Sequence, residues 1–394
     1  MKSVNLTAAA VAVGLGMSQA QAITCDGINT YPDWPQTNWQ GVPTHANTND
    51  KMQHQNKLYQ ANWWTQSEPG TSSAWQYLGR CDSNTRITPF ERHGQLSVCD
   101  TGLCNERQEK IQLRGMSSHG LQWYGLGKCL TDLSFDTLAV DWQADIIRLS
   151  MYVQEGGYAT NPEKFTDEMN KLIDMASQRG LYVLVDWHQL TPGDPNANLE
   201  LAKRFFTDIV TANKHRKNII YDIANEPNNV TWTAVREYSE QIIPVIRAIQ
   251  SDAIVLVGTH GWATFGHSSG GSVEDVLNDP VPFNNIMYTF HFYAASHQDS
   301  YRSVLDKASD LLPVFVSEWG AQNYDGDGSN DRISTQKYID LMKRKKISWT
   351  NWNYSDDFRS GAIWKRNTCA NQNFVDSQLK ESGVWLKDWI GEGR

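Results

Sequence analysis

The sequence predicts an α/β chain in two parts: a (β/α)8 barrel preceded by a small all-β unit. Three observations carry this. In the C-terminal part, eight short apolar runs alternate with amphipathic stretches over about 300 residues, the count and length that close a barrel. No Gly-x-Gly-x-x-Gly fingerprint occurs, so an open doubly wound sheet has nothing to support it. Upstream lies a stretch rich in Asn, Thr, Gln, Pro and Trp with almost no helical periodicity, and 394 residues exceed what one core usually holds.

Residues 1–22 carry Lys2, an apolar stretch over 6–17 and Ala20-Gln21-Ala22 as a small-residue cleavage site. This is the pattern of a secretory signal peptide, and it predicts an exported protein. The apolar stretch is too short to span a bilayer, and no later segment reaches about 18 apolar residues, so no membrane anchor is expected. Export makes the six cysteines disulfide partners. Cys25 and Cys81 bracket the first unit, too small to be well held by its own core, and are paired on that ground. Cys99 with Cys104 and Cys129 with Cys369 would complete the set, although six cysteines admit other pairings. The net charge of −9 argues against a nucleic acid as partner.

The first unit, residues 23–82, holds Trp34, Trp39, Trp63, Trp64 and Trp75, more rings than so small a core can bury. Some must be exposed, and exposed rings stack on the C–H faces of sugars. The motifs Tyr31-Pro32, Trp34, Trp39, Pro43-Thr44-His45, Leu58-Tyr59-Gln60-Ala61-Asn62-Trp63-Trp64-Thr65, Pro69-Gly70, Trp75 and Leu78-Gly79 resemble a family 5 carbohydrate-binding module of the cellulose- and chitin-binding type. The resemblance implies an exposed platform of Trp39, Trp63 and Trp64, with a Cys25–Cys81 bridge tying the ends. Residues 83–92 are polar, contain Pro89 and show no pattern; a short linker is expected there.

From residue 93 to 394, after a hairpin-like segment over 94–105, the strand-like runs are 111–119, 145–152, 180–188, 218–226, 254–259, 286–293, 313–318 and 347–354. Helical patterns fill 162–179, 199–215, 232–249, 301–311 and 335–345, the first opened by Pro162 behind the cap Asn161. In a barrel, the polar residues at the strand tips share one mouth. They are His119, Arg148, Tyr152, His188, Asn225, Glu226, His291, Tyr293, Glu318 and Trp352. Buried strands have little reason to end in such types unless each finds a partner.

Two of these, Glu226 and Glu318, end runs of the same design, and two carboxyl groups facing one bond are what glycoside hydrolysis needs. The ordered motifs around them are Arg114-Gly-Met-Ser-Ser-His119-Gly-Leu-Gln-Trp123-Tyr124-Gly, Ile147-Arg148-Leu, Asp186-Trp-His188, Ile223-Ala-Asn225-Glu226-Pro227-Asn228, His291-Phe-Tyr293, Val316-Ser-Glu318-Trp319-Gly320 and Ile347-Ser-Trp-Thr-Asn-Trp352. Together they resemble a family 5 glycoside hydrolase of the bacterial endoglucanase (cellulase) type. The resemblance implies a TIM barrel, a retaining mechanism and a β-1,4-glucan substrate. It also implies Glu226 as acid/base and Glu318 as nucleophile.

Around them, Arg148 and Tyr293 would hold Glu318, and Asn225 would hold the substrate 2-hydroxyl. His188 and His291 would position substrate and carboxylates, Trp352 would floor the cleft, and His119, Trp123 and Tyr152 would extend it toward the non-reducing side. Trp232 is placed on the leaving-group side. Relatives often carry a Lys a few residues after the last-strand Trp, where Ser355-Asp356-Asp357 stands here. No cofactor is called for and no metal is expected. No Cys-x-x-Cys occurs, and the acidic loop 325–331 lacks the Gly at its sixth position and the Glu at its twelfth that an EF-hand needs. The expected partner is cellulose or a related β-1,4-glucan, with chitin a second ligand for the module, and the chain is expected to be a monomer. A mannanase, a mixed-linkage glucanase and a non-catalytic polysaccharide-binding protein are the alternatives.

Overall fold

The computed structural model describes residues 23–81 and 86–393. The expected signal peptide, residues 1–22, lies outside the described residues. Eight parallel strands close a barrel: Arg114–Ser117, Ile146–Tyr152, Tyr182–His188, Ile219–Asp222, Ile254–Val257, Ile286–Tyr293, Val314–Gly320 and Trp349–Trp352. The last pairs with the first, Trp352 opposite Ser117.

Alternation along a strand divides the barrel wall into two faces. On Ile146–Tyr152, Ile147, Leu149 and Met151 face outward into the core shared with the helices, while Ile146 packs inside with Tyr182, Leu184, Ile220, Leu256, Met287 and Phe315. This inner apolar plug fills the lower barrel. Stepping up the same inward face gives Arg148, Ser150 and Tyr152 on one strand, Asp186 and His188 on the next, and His291 and Tyr293 further round. The interior is thus apolar below and polar above, which confines the chemistry to one end.

The amphipathic stretches are helices Pro162–Gln178, Leu199–Asn213, Trp232–Arg247, Asp299–Leu311 and Arg332–Lys345. Asn161 caps the first by accepting from Lys164 N at 3.1 Å. The C-terminal helix Glu381–Gly391 had no counterpart among the sequence expectations.

Below the barrel, strands Ser97–Cys99, Gly102–Cys104 and Lys110–Ile111 form a small sheet that places Leu96, Leu103 and Ile111 under the plug. The expected linker 83–92 is corrected over its second half, because Pro89–His93 is a helix. Thr88 and Glu91 form a capping box, Pro89 occupies the first turn where its missing N–H costs nothing, and Phe90 packs on Tyr182.

The N-terminal unit is a three-stranded antiparallel sheet, Lys51–His54, Lys57–Ala61 and Trp75–Arg80, beside a two-stranded ribbon. Met52, Tyr59, Ala61 and Trp75 form its core. Its disulfide is Cys25–Cys81; the others are Cys99–Cys104 and Cys129–Cys369. The unit packs against the barrel. Lys57 Nζ lies 2.8 Å and Arg80 Nη1 2.9 Å from Asp141, and the Tyr77 hydroxyl donates to Asp136. Among the described residues, no helix is long and apolar enough to cross a membrane.

Candidate active site

The polar upper interior is organised by Arg148, which is fully buried. Its Nη1 donates to Glu318 Oε2 at 2.8 Å, and its Nη2 donates to Asn225 Oδ1 at 2.6 Å and lies 3.0 Å from Asp186 Oδ2. A guanidinium without water is tolerable only when charges and acceptors surround it, and here they do. Burial works to raise Asp186, but the charges of Arg148 and His188 outweigh it and leave this carboxyl below its usual range. Asp222, 3.9 Å from Arg148 Nε, goes the other way: burial and then the charge of Asp186 push it well up.

Glu318 owes its direction to a bulge. Phe315 pairs with Thr289, yet Glu318 pairs with His291, so the strand carries one extra residue between these rungs. Simple alternation from the inward Phe315 would turn Glu318 into the helix layer. The extra residue turns it inward instead and sends Trp319 to the outer core. There Glu318 accepts from the Tyr293 hydroxyl at 2.6 Å as well as from Arg148.

Glu226 lies four residues past the end of strand Ile219–Asp222, which corrects the expectation that the strand runs to 226. The segment carrying it crosses over Gly258 so closely that a Cβ there would meet the Ala224 carbonyl oxygen at 1.8 Å. His291 Nδ1 is 2.9 Å from Glu226 Oε1, and His291 Nε2 is 2.9 Å from Ser317 Oγ. Burial pushes the Glu226 carboxyl up to about 7, and burial lowers His291 to about 3, so the imidazole beside Glu226 is neutral. A carboxylate oxygen of Glu226, one of Glu318 and a ring nitrogen of His291 all lie within 4.8 Å of one another.

Above this pair opens a cleft of about 1110 Å3. Tyr152 stacks on His188 with centroids 4.2 Å apart, and His188 stacks on Trp352 at 5.2 Å. His119 bridges Trp352 and Trp123.

Residues 104–358, more than half of the chain, match the family described as Cellulase (glycosyl hydrolase family 5), and residues 22–82 match a cellulose-binding domain. Endoglucanase MaCel5A of Microbulbifer sp. (strain ALW1) is 49% identical over 400 residues, covering 93% of this chain and 76% of that protein. The chain belongs to glycosyl hydrolase family 5. Endoglucanase E-5 of Thermobifida fusca is 55% identical to this family 5 chain over 301 residues, covering 76% of it and 64% of the relative. The crystal structure of the catalytic domain of Thermobifida fusca endoglucanase Cel5A (E5) in complex with cellotetraose superposes with a TM-score of 0.76 at 54% identity, covering 77% of this chain and 99% of that one.

Of the residues singled out from the sequence, His119, Trp123, Tyr152, His188, Glu226, Tyr293, Glu318 and Trp352 line the cleft of this family 5 fold. Arg148, Asn225 and His291 sit beneath it, hydrogen-bonded to the two glutamates or to their neighbours. Asn225 Nδ2 is buried with no hydrogen-bond partner among the described residues.

Trp232 is the correction. It is buried in the helix layer, its ring packs on Tyr288 and its Nε1 donates to the Asp279 carbonyl at 2.7 Å. A Trp in a first helical turn served packing, as its amphipathic surroundings dictate. The ring exposed beside the Glu226 segment is that of Trp262 instead, a residue whose backbone N–H donates to the Pro227 carbonyl at 3.0 Å and whose φ is 59°. Nothing periodic in the sequence marks it; a lone Trp behind Gly261 in a loop is the whole signal.

In the acidic loop, Asp327 accepts from Ser360 N, Asp325 accepts from Asp327 N and Asp331 caps the following helix, so these carboxylates serve the backbone. On the N-terminal unit, Trp39 is 90% exposed and Trp63 and Trp64 are more than half exposed.

Proposed function

We propose that this chain is a secreted endo-β-1,4-glucanase that hydrolyses internal bonds of cellulose by a retaining double displacement. The observation that supports it most is the 4.8 Å limit between carboxylate oxygens of Glu226 and Glu318. Retaining enzymes keep their two carboxyl groups about 5 Å apart, whereas inverting ones leave room for a water between them. The environments separate the roles. Glu226, pushed up to about 7 and beside a neutral histidine, holds a proton to give to the leaving oxygen. Glu318, held by Arg148 and Tyr293, attacks the anomeric carbon. With the proton gone, Glu226 takes one from water, and the hydroxide equivalent releases the sugar from Glu318.

Asn225 Nδ2 is the donor for the substrate 2-hydroxyl, Trp352 floors the cleaved sugar, and His119, Trp123 and Tyr152 carry the chain onward. Residues 23–82 act as a cellulose-binding module through Trp39, Trp63 and Trp64, with chitin a second ligand of the same shape. Residues 93–394 form the catalytic unit and 1–22 the export signal, and the enzyme works as a monomer. The anomer first released from soluble cellulose, followed by NMR alongside viscosity, tests the whole. Retention with a rapid viscosity fall is expected; inversion, or faster turnover on mannan than on cellulose, would overturn it.

A further inference from the structure

The N-terminal unit is held against the barrel. Lys57 is 5% exposed, and the partner that makes this tolerable, Asp141, comes from the other unit. Asp136, which takes the Tyr77 hydroxyl, is also gripped by Arg179 Nε at 2.6 Å, so the anchoring carboxylate is fixed from the barrel side.

Along this seam runs a groove of about 450 Å3. Asn62, Ser73 and Gln76 line it from the module, and Thr131, Ala370 and Gln372 from the barrel. Ala370 and Gln372 also line the active-site cleft, so the two depressions meet at one sill. The sill is rigid. Cys369 is bonded to Cys129, Gln372 Oε1 accepts from Thr131 Oγ1 at 2.7 Å, and Gln372 Nε2 donates to the Cys369 and Lys128 carbonyls. At its other end the groove reaches Asn62, the residue before the exposed Trp63–Trp64 pair.

We infer that the seam groove is a glucan-binding site formed only by the docked pair, carrying a β-1,4-glucan chain from the cleft across the Ala370–Gln372 sill to the Trp63–Trp64 platform. The donors and acceptors that the sill does not already use suit a hydroxyl-bearing chain: the Gln76 amide, the Asn62 side-chain oxygen and the Ser73 hydroxyl on the module side, with the Asp132 carboxylate an acceptor on the barrel side. The groove's size falls within the range of sites that enclose small ligands. This rests on the glucanase reading for the identity of the chain, but its test does not depend on turnover.

The test measures binding to the full chain carrying Glu226→Gln, by titration calorimetry, against cellotetraose and against hydroxyethyl cellulose. Ser73→Phe obstructs the groove and Gln76→Ala removes an amide; both positions are exposed, so the fold tolerates them. Affinity for hydroxyethyl cellulose falls about tenfold in the double variant, while that for cellotetraose, which fits within the cleft, is unchanged. A chain with Trp39, Trp63 and Trp64 all replaced by Ala still shows the difference, which assigns it to the groove and not to the platform. Equal affinity with and without the groove substitutions, or an equal loss on both sugars, overturns the inference and leaves the seam as packing. Absence of hydrolysis by the unsubstituted protein overturns the glucanase reading instead, and the calorimetry still decides the groove.

Discussion

The module's aromatic platform and the barrel's aromatic cleft use the same kinds of ring under opposite constraints. Trp39 is 90% exposed, whereas Trp352 is 8% exposed between His119 and His188. A ring that only has to stack on a sugar face needs to be outside and little else. In the cleft each ring is part of a wall around two carboxyl groups, and a displaced ring there moves charges whose spacing sets the reaction. The platform therefore tolerates substitution in its fold and not in its grip, whereas the cleft tolerates it in neither.

Glu318→Gln tests the cleft side hardest. Turnover of soluble cellulose should fall on the order of 10⁴-fold or more, while adsorption to insoluble cellulose is unchanged. Arg148→Met should come next. It leaves Asp186 and Glu318 without their cation in a buried site, with a loss of about 3–5 kcal/mol in denaturant unfolding alongside a large loss of turnover.

Activity and stability should both depend on pH through Glu226. With Glu226 as the proposed acid, protonated to act, kcat/KM should fall about tenfold per unit above pH 7. The same shift acts on stability. A carboxyl whose folded pKa is raised favours the fold at acid pH, below its unfolded value, and that contribution is lost as pH rises through about 7. Glu226→Gln should therefore unfold at higher denaturant than the parent at pH 8, by about 3 kcal/mol, and at pH 4 should match it. An unchanged difference between the two pH values would remove burial as the cause.

On the platform, Trp39→Ala, Trp63→Ala and Trp64→Ala should each weaken adsorption to cellulose about tenfold, with kcat/KM on soluble substrate and Tm both unmoved. The smallest effect on activity is expected from Trp232→Phe. It loses the hydrogen bond to Asp279, costing about 1–2 kcal/mol of stability, with KM unchanged. A rise in KM would return Trp232 to the cleft.

The barrel was legible because its strands are buried on both sides and read as unbroken apolar runs, and because polar residues at their ends had no other reason to be there. Helix starts were legible where a capping residue stood before a proline, as at Asn161. What escaped was whatever depends on a single extra residue or a loop's handedness. The bulge before Glu318 is one: no sequence pattern announces it, yet without it the carboxylate points away from its partner. The left-handed Trp262 is another. Pro89 misled in the opposite sense, since a proline opening a capped turn looks, in sequence alone, like one that breaks structure. Trp232 shows the limit of proximity, being near Glu226 along the chain and turned from it in space.

Lys57, Tyr77 and Arg80, bound to the barrel wall, set the module at one angle to the cleft. When the enzyme lands on a fibre, the angle of landing is already the angle of the cut.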